Sequence, residues 1–170
     1  MTSLVLTIIA PDKPGLVELL SQTIASHQGN WLESSLSRLA GKFAGILVVS
    51  VPEAQTESLI KELTELEAQD LKVVAERSQE PELSTAYSSI TLALIGHDKP
   101  GIVKEISQAL TTSKVNVERL STELVSGSMS AEELFKAEAL LLVPETVDLD
   151  DLQQALENIA SDLMVDITLN

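Results

Sequence analysis

Cysteine is absent from the 170 residues, which removes disulfides, a thiolate nucleophile and any zinc–cysteine site. Aromatic side chains are almost as scarce: Trp31, Phe43, Tyr87 and Phe135 are the whole set. Proteins that hold single-stranded nucleic acid stack its bases on aromatic platforms, and this chain has few to offer. Basic residues number 11 against 26 acidic ones, for a net charge of −15. Affinity for phosphate backbones depends on Lys and Arg displacing counterions. A surface this negative therefore disfavours direct binding of nucleic acid, and docking on an anionic membrane. It serves solubility, or it presents an acidic face to a basic partner. Long apolar runs are missing too. The opening stretch from Met1 to Gly15 has no basic flank, and its apolar part is too short for a secretion signal or a membrane span. It reads as a first strand, and a cytoplasmic protein is expected.

Sequence signatures of catalysis are missing as well. There is no GxxxxGK[ST] phosphate loop, no GxSxG and no HExxH. His27 and His97 each stand without a second histidine, so no metal site is expected. His97 beside Asp98 would make a general base, but no nucleophile stands at a recognisable spacing. No catalytic residue, metal or cofactor is assigned, and a non-enzyme is expected.

What the chain does have is a repeat. Asp12-Lys13-Pro14-Gly15 recurs as Asp98-Lys99-Pro100-Gly101, and at that offset residues 4–39 lie over 90–125 with eleven identities. Val17 pairs with Val103, Ser21 with Ser107, Asn30 with Asn116 and Ser35 with Ser121. The match resumes at Phe43–Pro52 over Phe135–Pro144, so the second copy carries six extra residues, Ser128-Met129-Ser130-Ala131-Glu132-Glu133, where a hairpin loop is expected.

Within each copy the hydrophobic period alternates. Leu4 to Ile9 is a short apolar run suited to a buried strand. Leu16, Val17, Leu20 and Ile24, matched by Ile102, Val103, Ile106 and Leu110, are assigned to one helical face. Residues 31–40 and 43–51 form a hairpin turning at Gly41, and Pro52 ends the strand. Leu59, Ile60, Leu63 and Leu66 mark a second helix, matched by Leu149, Leu152, Leu156 and Ile159. Leu71–Ala75 and Leu163–Leu169 close each copy as strands. The order is βαββαβ twice, an α+β fold of two tandem ferredoxin-like modules with antiparallel sheets. The expected boundaries are 1–77 and 89–170, with the polar stretch 78–88 as linker. Modules this small have little core of their own. They are expected to pack side by side through sheets or helices, or to lean on a second chain in a homo-oligomer.

The repeated polar turn is the place where chemistry could sit. Asp12 and Asp98 are good helix N-cap acceptors, and Pro14 and Pro100 suit a first turn because they have no N–H to lose. Gly15 and Gly101 allow close approach of a backbone or a ligand. Free amides at a helix start also favour a carboxylate. Capping and ligand binding both explain the turn. Asn30 and Asn116 have two readings as well: closing the preceding helix in a left-handed conformation, or contacting a ligand. Trp31 reads as core or interface packing.

A βαββαβ module with a D-x-P-G turn after its first strand and an Asn before its second resembles an ACT domain. Two such modules in a short acidic chain are similar to the glycine cleavage system transcriptional repressor family. The resemblance implies a regulator that does not read DNA. It would restrain a LysR-type activator of the glycine cleavage operon by protein contact, and glycine would relieve the restraint. It also implies a small amino acid held between modules near the turn. Gly15 and Gly101 would lie against it, and the amides around Pro14–Leu16 and Pro100–Ile102 would face its carboxylate. Asp12 or Asp98 would meet its ammonium group or cap the helix. The alternatives are an amino-acid-sensing regulatory subunit of a metabolic enzyme, and a pair of such modules that has lost its ligand.

Overall fold

The computed structural model describes residues 1–79, 86–127 and 132–170. The chain divides into two compact units, Met1–Pro81 and Glu82–Asn170. The first runs β1 (Thr2–Pro11), α1 (Leu16–Ser26), β2 (Asn30–Leu39), β3 (Lys42–Val51), α2 (Glu53–Glu65), a 3-10 turn (Leu66–Gln69) and β4 (Lys72–Arg77). The second runs β5 (Tyr87–His97), α3 (Ile102–Thr112), β6 (Asn116–Ser126), β7 (Glu133–Pro144), α4 (Leu149–Leu163) and β8 (Val165–Leu169). The sheets have the orders β2-β3-β1-β4 and β6-β7-β5-β8, and every pairing is antiparallel. The expected α+β architecture, βαββαβ twice, is therefore what the chain adopts.

Period-2 alternation on the first strand builds the core. Leu4, Leu6, Ile8 and Ala10 are buried on one face of β1, while Ser3, Thr7 and Ile9 are not. Leu47, Val49 and Val51 of β3 join them, and Leu20, Ile24, Leu59 and Leu63 supply the helical layer. Leu92, Leu94, Leu141 and Val143 do the same in the second unit, beneath Ile106, Leu110, Leu152 and Leu156. Val17 and Val103 are not in these cores. They are 48% and 46% exposed, because each follows the inward Leu16 or Ile102 by one residue and so is turned about 100° away around the helix. Leu149 is exposed for a different reason, its place at the very start of the helix and not its direction around it. It opens α4, whose inward stripe is Leu152, Leu156 and Ala160.

Other boundaries also differ from the sequence reading. Leu163 ends α4 rather than starting a strand, and the left-handed Met164 (φ 54°) separates it from β8. Ser78 extends the first sheet, with its N–H donating to the Ser3 carbonyl at 2.9 Å, and Tyr87 already belongs to β5. The rest of the proposed linker, 80–85, lies outside the described residues, as do residues 128–131 of the insertion, while Glu133 opens β7.

The second core is less completely filled. Between α3 and the sheet lies an apolar cavity of about 50 Å³.

One clasp in the first unit is electrostatic. Arg77 at the end of β4 donates to Glu53 at the start of α2 (Nη2–Oε1 3.0 Å) and approaches Glu57 at 3.4 Å. The Arg77 hydrogen bond, followed by one from the Thr2 hydroxyl, holds the Glu53 carboxyl below its ordinary value. A carboxyl depressed in the folded state stabilises the fold above its unfolded pKa, and that contribution fades as pH falls through the folded value. The pair is exposed, so its contribution is small. Arg77→Ala is expected to lower the melting temperature slightly at pH 7. The difference should fade as the pH falls through the depressed folded value of the Glu53 carboxyl and vanish in acid once that carboxyl is protonated. An equal difference at both pH values would mean that Arg77 acts by packing alone.

Candidate functional site

The repeated turn is built the same way in both units. Gly15 and Gly101 are the N-cap residues of α1 and α3, in left-handed conformation (φ 92°, ψ 0° and φ 96°, ψ −3°). Those angles suit the third residue of a type II turn with proline before it, which explains the order Pro-Gly. Neither helix has a side-chain cap. This corrects the capping role proposed for Asp12 and Asp98. The left-handed glycine occupies the cap position, so each aspartate stands three residues before it. Pro14 and Pro100 precede the cap instead of entering the first turn. By contrast, Asp148 caps α4 and accepts from the Asp150 N–H at 2.9 Å.

The first intrahelical bonds run from the N–H of Leu19 to the carbonyl of Gly15 (2.9 Å) and from Glu105 to Gly101 (3.0 Å). The amides of Leu16 and Val17, and of Ile102 and Val103, accordingly have no protein acceptor among the described residues. A free helix start of this kind attracts a carboxylate or another small anion. A Cβ added at Gly15 or Gly101 would meet no atom within 4 Å. The glycines are thus required by backbone angle, and the space beside them is open.

The two turns differ in charge. Asp12 is paired with Arg38 (Oδ2–Nε 3.2 Å), and Lys13 reaches Asp70 at 3.9 Å and the Gln69 carbonyl at 3.2 Å. In the second unit the register position of Arg38, opposite the phenylalanine of the neighbouring strand, is Leu124. Among the described residues Asp98 and Lys99 make no ion pair, while neighbouring His97 bonds Glu132 (Nδ1–Oε2 3.0 Å). Asp12, Gly15, Leu16, Val17 and Phe43 line one open hollow with Lys13 and Glu18. Val17 and Phe43 were not singled out as site residues. Their identity with Val103 and Phe135 in the repeat was the available signal.

Asn30 and Asn116 are the first residues of β2 and β6, both exposed, and neither lines a hollow with its turn. They do not close the helices. Gln28 (φ 60°) and Lys114 (φ 58°) do so in left-handed conformation, with the following N–H groups of Gly29 and Val115 reaching back to the carbonyls of Ile24 and Leu110 at 2.9 Å each. That is the Schellman arrangement, which fixes the left-handed residue two positions before each asparagine. His27 caps α1, with Nδ1 2.9 Å from the Thr23 carbonyl and Nε2 3.3 Å from Glu62 of α2. Trp31 packs half-buried against the first core. Among the described residues no group of three or more His, Asp or Glu is placed to hold a metal ion, and no helix is long and apolar enough to cross a membrane.

Residues 2–76 match the family model of the ACT domain. The second unit repeats the topology of the first strand for strand, and the chain has a tandem ACT-like fold. A crystal structure of an unknown protein from Galdieria sulphuraria is similar over 99% of this chain and 97% of its own, with TM-score 0.87 and 24% identity. A candidate glycine cleavage system transcriptional repressor is similar over 99% of this chain and 96% of its own, with TM-score 0.71 and 19% identity. At these identities the likeness is one of fold. No curated protein matches the sequence.

Proposed function

We propose that this chain is a non-catalytic cytoplasmic regulator that senses a small amino acid, glycine in the first instance, at its Asp-x-Pro-Gly turns. It would restrain a LysR-type activator of the glycine cleavage operon by protein–protein contact. The observation that carries the reading is the helix start opened by Gly15 and repeated at Gly101: free amides for a carboxylate, open space beside the glycine, and an aspartate three residues away for an ammonium group. The site is assigned to Asp12, Pro14, Gly15 and Leu16, with Asp98, Pro100, Gly101 and Ile102 in the second turn. Asn30 and Asn116, the first residues of β2 and β6, complete the proposed set as polar contacts to the ligand. A protein of the same tandem fold carries the name of a candidate repressor of that system. The net charge of −15 favours a protein partner over DNA.

Two measurements test this. Calorimetry against glycine, serine, alanine and valine should give a heat of binding for glycine. The purified chain alone should not shift operator DNA at any salt concentration, whereas adding it to the activator should change the activator–DNA complex in a glycine-dependent way. A sequence-dependent, salt-sensitive shift by the chain alone would overturn the protein-contact mechanism. Co-purification with a catalytic subunit instead of an activator would favour the enzyme-regulatory alternative.

A further inference from the structure

An antiparallel sheet with helices on one face commonly turns polar side chains outward on the other. The first sheet does not. Val5 and Ile9 of β1, Ala44, Ile46 and Val48 of β3 and Val74 of β4 alternate with the core residues, and so share the face away from α1 and α2. Ile9, Ile46 and Val74 are 46%, 54% and 47% exposed. Ile9 pairs with Ala44, Val5 with Val48, and the central Thr7 with Ile46 on one side and Val74 on the other. The apolar groups are therefore contiguous, and a contiguous exposed apolar patch marks an interaction surface.

The second sheet supplies the comparison. Its central row is Ala93, flanked by Glu138 of β7 and Thr168 of β8, and Lys136 stands opposite Ile95 where the first sheet has Ala44 opposite Ile9. Glu138 is exposed. Covering an unpaired carboxylate is costly, so the outer face of the second sheet suits water and that of the first suits a cover.

Charge indicates what the cover is. On the apolar face Lys72 lies beside Ile9 and Glu76 beside Val5, one row to either side of Thr7 and Val74. Lys42, opposite Pro11, adds to the basic end, and Glu33, opposite Val48, adds to the acidic end. Among the described residues none of these four charges is in an ion pair. A face that is basic at one end and acidic at the other complements itself when turned end for end. A twofold axis running across the strands at the level of Thr7 lays Lys72 of one copy over Glu76 of the other, Ile9 over Val5, and Ile46 and Val74 over their own counterparts. Two twisted sheets pack in this way at a crossing of about 30°.

We infer that the outer face of the first sheet is the interface of a twofold homodimer, in which two copies of this chain pack sheet to sheet. Four strands about 4.8 Å apart, the central ones ten residues long at about 3.3 Å each, make a face of roughly 19 by 33 Å. That plan area, roughly 600 Å² before side-chain relief is counted, comes close to the ~800 Å² that each partner gives to a specific interface. The interface holds whether or not the turns bind an amino acid.

Sedimentation of the full chain should show a monomer–dimer equilibrium. Ile46→Glu and Val74→Thr each place the second module's own residue on the first sheet, and both positions face away from the core, so circular dichroism should be unchanged. Ile46→Glu should weaken the dimer about 100-fold or more, because two carboxylates would be covered without partners, and Val74→Thr should weaken it less. Lys72→Glu should weaken it about tenfold by setting like charges against each other. Adding Glu76→Lys to that variant should restore the dimer, since the exchanged face is again complementary to itself. Glu138→Gln on the second sheet should change nothing. A chain that stays monomeric up to about 100 μM, a dimer that survives Ile46→Glu, or one indifferent to Lys72→Glu would overturn the inference. So would a Lys72→Glu loss that Glu76→Lys fails to restore.

Discussion

Gly15→Val and Gly101→Val are each expected to abolish amino-acid binding at the altered turn, a loss of about 100-fold or more, equivalent to roughly 3 kcal/mol. Both glycines sit at φ near 90°, where an L-residue pays about 1–2 kcal/mol and a β-branched one more. The new side chain would also occupy the open space beside the free amides. Stability should fall modestly in both variants, because a Cβ there meets no protein atom within 4 Å. Gly→Ala at the same positions separates the effects. It carries much of the backbone penalty with a single methyl group, so it should melt slightly lower and still bind, more weakly. Melts and calorimetry on the same samples decide the matter. Equal melting losses with no change in any ligand response would reduce the glycines to shaping the chain.

Leu6→Ala is expected to lower stability by about 3–5 kcal/mol, within the range for truncating a fully buried leucine. Leu6 is 0% exposed in the centre of β1, between β3 and β4 in the sheet. Domains are commonly stable by about 5–15 kcal/mol and small ones sit low in that range, so one truncation removes a large share. Val17→Ala is the informative contrast. Half-exposed and lining the Asp12 hollow, it should leave stability nearly unchanged and weaken ligand binding. Urea titrations read both, provided the slope of the unfolding transition stays constant. A loss below about 1 kcal/mol for Leu6→Ala would mean that the strand's inward face is not the core it is taken to be.

The elements themselves were legible in the sequence, because strand and helix periods depend only on neighbours along the chain. Leu4, Leu6 and Ile8 alternate, Leu16, Leu20 and Ile24 recur at helical spacing, and the repeated Asp-Lys-Pro-Gly turn reports the duplication. The conformation of that turn was half legible: Pro-Gly implied a tight turn, yet Asp looked like the cap. Local chemistry favours aspartate there, and only the backbone path shows that left-handed Gly15 takes the cap position while Asp12 is paired with Arg38, a residue 26 positions further on. The helix ends failed for a similar reason. Asn is a common left-handed residue, but the hydrogen bonds returning from Gly29 and Val115 fix that conformation on Gln28 and Lys114.

By itself, then, the sequence determined the α+β order, the duplication, the acidic charge and the position of the turn, since each is written in adjacent residues or in their recurrence. The tertiary structure decided what the turn faces. Val17 and Phe43 lie on separate elements brought together only by packing. The exchange of Trp31 for Val117 and of Leu47 for Ala139 is visible as letters, but it becomes a cavity only because β2 pairs with β3, and β6 with β7, in a register that places both changes on one inward face. Volume is a property of several elements at once, and no local pattern along the chain encodes it.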